Sequence, residues 1–278
     1  MTLSRPIAIL VLAVLEGGLV ALPRGDALRR LGRLRSPLWA ASLPGLIVAG
    51  TFGVLLLPSI ALGLVVLAAV ATPVLATVAV LGVVRGRVAF VGLIPLAAAI
   101  LACRARGLLG QGSDSLLTAL GCLSLGTALV RLIPSRLIPV AVLAMCAIDV
   151  ALLAVGVGEP AVAAMNRATA QFHGPAFDHA TIGPITTDYP DLVLAAALGA
   201  MMSAQVAAQR LAAVLVAALV AAYGLLLLFV SMLPATVPIA LAYVLLHAGG
   251  RARRWRLEPA GAGALLQRLP ARPVRALH

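Results

Sequence analysis

The chain has 278 residues, 62% of them hydrophobic and 11% charged, against the roughly 25% charged residues of soluble domains. That deficit excludes a water-soluble globule, and the mean hydropathy of +1.10 makes a bilayer the solvent for most side chains. The net charge of +12 is carried by arginines alone, grouped in short clusters between apolar runs, which is the topology signal of a membrane protein rather than a nucleic-acid surface.

In chain order, apolar runs fall at about 7–22, 38–57, 60–84, 87–103, 115–132, 137–156, 190–208, 211–230 and 233–248. A hydrocarbon core of ~30 Å takes about 20 helical residues to cross, and these runs approach that length. They predict an all-α, polytopic transmembrane helix bundle of about nine spans over residues 1–250. The breaks carry suitable punctuation: Pro23 with Gly25, Pro58, Arg85-Gly86-Arg87, Gln111 to Asp114, Pro134, and Ser231 with Pro234. The first run also has the outline of a signal peptide, but Glu16 in its middle and the lack of a small-x-small cleavage site favour a retained span.

Counting arginines orients the bundle. With residues 23–37 in the cytoplasm, seventeen of the 21 arginines fall on the inner side and four (Arg5, Arg104, Arg106 and Arg167) on the outer. The N-terminus is then outside and the C-terminus cytoplasmic. Residues 157–189, with Glu159, His173, Asp178, His179 and Asp188, are expected to form an extramembrane loop. Residues 251–278 form a basic cytoplasmic tail, suited to lie on anionic headgroups at about 1 kcal/mol per arginine. The Ala-, Val-, Leu- and Arg-rich composition without lysine suits a GC-rich genome, and the expected location is a bacterial or archaeal-type plasma membrane.

Carboxylates inside the apolar runs are the candidates for chemistry, because each is expensive there. They are Glu16, Asp149 near the middle of the sixth run, and Asp191 opening the seventh. As the sixth and seventh runs are consecutive and antiparallel, Asp149 and Asp191 can face one another. Two carboxyls held that closely share a proton and titrate as a unit. One then activates water while the other protonates a substrate carbonyl, as in aspartic proteases. The competing readings are a structural hydrogen bond for Asp149 and a favourable helix-start position for Asp191, with Asp188 as the cap. Glu16 reads as a cavity-facing or mis-registered residue rather than a third catalytic group. His173, Asp178 and His179 match no zinc-site spacing, and no His-Glu-x-x-His, P-loop, dinucleotide fingerprint or Gly-x-Ser-x-Gly elbow occurs. Cys103, Cys122 and Cys146 form no CxxC pair, so neither a disulfide framework nor a thiolate metal site is expected. Gly17-Gly18 and Ala195-Ala196-Ala197 read as helix-packing surfaces.

The arrangement resembles the presenilin and signal peptide peptidase family of intramembrane aspartyl proteases. The resemblance rests on Met145 to Val150 around the first aspartate and Asp188 to Val193 around the second. It also rests on Leu233-Pro234-Ala235-Thr236-Val237-Pro238 opening the ninth run. The family's Gly-x-Gly before the second aspartate is replaced by Asp188, Tyr189 and Pro190, and its Pro-Ala-Leu by Pro234, Ala235 and Thr236. The resemblance implies that Asp149 and Asp191 are catalytic and that Pro234, Ala235 and Pro238 shape the substrate cleft. It implies no metal or organic cofactor, transmembrane helices or signal peptides as substrates, the lipid bilayer as surroundings, and no nucleic acid. Two alternatives remain open on the residues: a proton- or cation-coupled transporter, and a non-catalytic relative that binds membrane helices.

Overall fold

A computed structural model describes residues 4–84, 93–105, 107–175, 177, 179–230 and 232–248. The expected breaks at Arg85-Gly86-Arg87 and Ser231, the residues Arg106 and Asp178, and the tail 251–278 lie outside these described residues. The chain divides into a unit Met1–Tyr243 and a unit Val244–His278.

The described residues are mostly helical, and every one of the nine apolar runs carries a helix. In chain order these are α1 (Arg5–Ala21), α2 (Leu38–Leu56), α3 (Pro58–Val78), α4 (Leu93–Arg104), α5 (Leu108–Leu132) and α6 (Ile138–Ala154). After an intervening helix come α8 (Tyr189–Met202), α9 (Val206–Gly224) and α10 (Thr236–Ala248). Pro6, Pro58, Pro139 and Pro190 open α1, α3, α6 and α8 from the first turn. Proline has no N–H to leave unpaired there, and its fixed φ suits a helix start.

The expected loop at 157–189 is corrected by the structure: it contains helix α7 (Gly158–Phe172) and a hairpin of β1 (His179–Ile182) and β2 (Ile185–Asp188). Helix α7 is amphipathic rather than apolar. Ala161, Met165, Ala168 and Phe172, spaced by four, three and four, put one face on Val54 of α2 and on Ala61 and Val65 of α3. Gly156 at φ 74° separates α6 from α7, and the pair bends by 92°. The hairpin pairs His179 with Asp188 through to Ile182 with Ile185. Its two-residue turn puts Gly183 at φ 60° before Pro184, the type II′ pattern that matches strand twist and takes glycine at its first position.

Four helices among the described residues are long and apolar enough to cross a membrane: Leu38–Leu56, Pro58–Val83, Leu108–Leu132 and Val206–Leu228. The bent α6–α7 pair makes a fifth if it is one span. Helix α1 has 17 residues, α4 12, α8 14 and α10 13. The run expected at 190–208 breaks at Ser203–Gln205, between α8 and α9. The outer faces of α2 and α3 are apolar, with Leu46 68% and Val70 67% exposed. Lipid tails cover such a surface without penalty, whereas in water it would drive association.

Helix α8 is the innermost element of the unit Met1–Tyr243. Eleven of its 14 residues are buried, packed against α5, α1 and α9. Small residues permit this: a Cβ on Gly126 of α5 would lie 2.5 Å from the Val193 carbonyl oxygen, and one on Gly199 would collide with Val20 of α1. Gly17 sits equally close to Ala213 and Ala217 of α9. Close backbone approach of this kind is how helices associate where lipid removes the hydrophobic driving force.

Polar ties fix the two ends of this unit. Buried Gln209 on α9 donates from Nε2 to the carbonyls of Val20 at 2.9 Å, Pro23 at 3.0 Å and Gly199 at 3.3 Å. Nearby, Arg131 donates to the carbonyls of Gly25 and Ala27, Arg24 to that of Gly82, and Arg35 to that of Arg131. Segments from residues 20–36, 82–84, 131–132 and 199–203 thus meet at one end. At the other, Ser115 Oγ and Thr118 Oγ1 on α5 donate to the carbonyls of Thr181 and Phe177, which docks β1.

Candidate functional site

Asp191 sits in the first turn of α8, 7% exposed. The hairpin delivers it there: β2 alternates buried and exposed residues, and Thr187 is one of the inward-facing ones. The Thr187 hydroxyl donates to Asp191 Oδ2 at 3.2 Å. Asp188 occupies the N-cap position without a side-chain cap bond, so the expected cap is not made. Tyr189 anchors the start of α8 through a hydrogen bond between its hydroxyl and Thr72 of α3.

Asp149, half-buried on α6, accepts a hydrogen bond of 2.7 Å from the Thr236 hydroxyl at the start of α10. Thr236 is fully buried and directly follows Pro234-Ala235. A hydrogen bond to a charged group contributes about 1.5–3 kcal/mol, enough to hold this carboxyl in one orientation.

The two aspartates do not come from neighbouring antiparallel helices. Helix α7 and the hairpin intervene in the chain, α6 packs mainly on α2, and α8 packs mainly on α5 and α1. The two are related through the start of α10: Thr236, which binds Asp149, directly follows Ala235, and Ala235 stands in the same cavity wall as Asp191.

Beside Asp191 is a cavity of about 560 Å³, whose wall also includes Asp188, Glu16, Arg5, Tyr223, Ala235 and Pro238. Ligand sites span roughly 300–1,000 Å³. Of the expected cleft residues, Ala235 and Pro238 line it, while Pro234 lies just before them and accepts a hydrogen bond from the Val237 N–H. Asp191 lines the cavity and Asp149 does not. Tyr223 of α9 lines the cavity as well.

Glu16 has a more specific place than its sequence position implied. It is 1% exposed, and neither carboxylate oxygen has a hydrogen-bond partner. Thr187, Thr236 and Tyr223 were not singled out from the sequence. Thr187 stands four residues before Asp191 and Thr236 follows the Pro-Ala pair, which are the signals available for two of them. The three cysteines are free thiols. Among the described residues no group of His, Cys, Asp or Glu is arranged to hold a metal ion; His173 ends α7 in a left-handed conformation and His179 opens β1.

The chain matches no family model, no curated protein and no solved structure.

Proposed function

We propose that the chain is an intramembrane aspartic endopeptidase that hydrolyses peptide bonds within transmembrane or signal-peptide helices. One observation carries the reading: two aspartates on separate helices are each held by a threonine hydroxyl, Asp191 in the wall of a cavity of about 560 Å³ and Asp149 on Thr236, next to the wall residue Ala235. A carboxyl pair sharing one proton supplies both halves of the chemistry. The ionised member takes a proton from water as it attacks the carbonyl carbon, and the protonated member gives its proton to the carbonyl oxygen. Collapse of the gem-diol breaks the C–N bond: one hydroxyl gives its proton to the ionised carboxyl as the carbonyl reforms, the other carboxyl protonates the leaving amine, and the singly protonated pair is restored. Ala235 and Pro238 at the cavity wall suit a cleft in which the substrate helix is unwound.

The accompanying topology is nine spans with the N-terminus outside and the C-terminus in the cytoplasm, in a bacterial or archaeal-type plasma membrane. The gathering of Arg24, Arg35 and Arg131 at one end of the unit supports it, as arginines concentrate on the cytoplasmic side. The basic tail rests on anionic headgroups in this arrangement.

The test is cleavage of a reporter type II membrane segment by purified protein in bilayers, beside Asp149→Asn and Asp191→Asn. General acid–base groups contribute about 10²–10⁴-fold each, so either variant is expected to lose at least the lower figure. Absence of cutting by folded wild type, with cation uptake into liposomes that Asp149→Asn abolishes, assigns the site to a carrier instead.

A further inference from the structure

Glu16 is the buried acid that the dyad leaves unused. Helix α1 packs on α8 and α9, and at 1% exposure both Glu16 oxygens lack a partner. A buried carboxyl without a hydrogen bond is expensive, and native structures keep few of them. Arg5 lines the same cavity but sits eleven residues earlier on the same helix, about 16 Å along its axis. It therefore marks the opposite end of the cavity. Between these ends α1 contributes Ile9 and Leu12, Val220 of α9 and Leu227 just past its end add further apolar wall, and Thr186, Thr187 and Tyr223 add hydroxyls. Asp188 and Asp191 stand in the same wall. A cavity with an apolar strip along α1 that ends at the unpartnered Glu16 takes an apolar stem ending in a cation, the shape of a lysine or arginine side chain. An ammonium or guanidinium guest supplies the N–H donors that both Glu16 oxygens lack, together with a charge that favours the ionised form of this buried carboxyl.

We propose that this cavity is a subsite for a basic side chain of the substrate segment, with Glu16 as its counter-charge. The inference rests on the protease reading for the identity of the guest as a peptide. Its chemistry, an alkylammonium or guanidinium on an apolar stem, is defined by the cavity itself.

The test measures binding, so it stands apart from catalysis. The full chain carrying Asp149→Asn is placed in lipid nanodiscs. It is titrated with fluorescent apolar helical segments in which one lysine, or isosteric norleucine, is moved through the central positions. The lysine segment is expected to bind about 10- to 100-fold tighter than the norleucine segment at one or two positions. Adding Glu16→Gln is expected to remove that advantage while norleucine binding is kept. Hexylammonium is expected to displace the lysine segment from the Asp149→Asn protein, and hexanol is not, which gives a readout without any change at position 16.

Equal binding of the two segments at every position overturns the proposal. So does an advantage that survives Glu16→Gln, or a lysine segment that hexylammonium cannot displace. Hexylammonium binding that no segment competes with assigns the subsite to a free organic cation and overturns the peptide assignment. Wild type that cuts both segments at equal rates sinks this inference and leaves the protease reading intact. Absence of cutting with the lysine preference present does the reverse.

Discussion

Gly126→Ala tests the α5–α8 contact on which the position of Asp191 depends. The added methyl would lie 2.5 Å from the Val193 carbonyl oxygen and 2.8 Å from Ala196 Cβ and Ala197 N. Carbon-to-oxygen contacts settle at about 3.3–3.6 Å, so the helices must part by about 0.8–1 Å or bend. Overpacking of this size costs about 1–3 kcal/mol, partly offset by the 0.5–1 kcal/mol that alanine gains over glycine in a helix. Gly112→Ala, on the same helix with nothing within 4 Å of the added carbon, keeps the gain and omits the clash. The two variants should therefore differ by about 1–3 kcal/mol in reversible unfolding from mixed micelles, with Gly126→Ala the weaker. Val193 is two residues from Asp191, so the displacement also reaches the carboxyl. A misplacement near 1 Å costs about 10²-fold in rate, and cleavage by Gly126→Ala should fall accordingly. Equal unfolding of the two variants refutes the packing argument. A stability loss with unchanged cleavage refutes the link from the contact to the site.

Two further substitutions probe the polar ties. Thr236→Val removes the hydroxyl bonded to Asp149 while keeping the side-chain shape; at about 1.5–3 kcal/mol for a bond to a charged group, cleavage should fall about 10- to 100-fold. Thr236→Ser should restore most of it, and activity equal to wild type in the valine variant would show that the bond does not orient the carboxyl. Gln209→Leu leaves the carbonyls of Val20, Pro23 and Gly199 without their shared donor. It should lower unfolding stability by about 1–3 kcal/mol, and an unchanged unfolding midpoint would show that the tie is dispensable.

The helical frame was legible because hydropathy is a local property. Long apolar runs bounded by proline and arginine became helices, and the carboxylates that interrupt them were visible as exceptions. Helix α7 was missed because its signal is periodic rather than apolar on average. Ala161, Met165, Ala168 and Phe172 form a face, while Asn166 and Arg167 dilute the mean. The lengths of α8 and α9 were misjudged for a different reason. Ser203–Gln205 is only three residues of modest polarity, and the tie from Gln209 to α1 and α8 that fixes this break is a contact across 189 positions. The partners of the aspartates depend on the same kind of distant contact, since Thr236 stands 87 positions from Asp149. Glu16 was visible as a lone acid, but its lack of partners is a property of the packed helices around it.

The seclusion of α8 bears on how the protein senses its bilayer. A helix of 14 residues is about 21 Å long, well short of a ~30 Å hydrocarbon core. Hydrophobic mismatch acts on elements that touch lipid, such as α2 and α3, which must tilt or distort as bilayer thickness changes. Helix α8 is jacketed by α1, α5 and α9, so its length answers to those neighbours. The depth of Asp191 is therefore set by protein contacts rather than by the thickness of the surrounding bilayer.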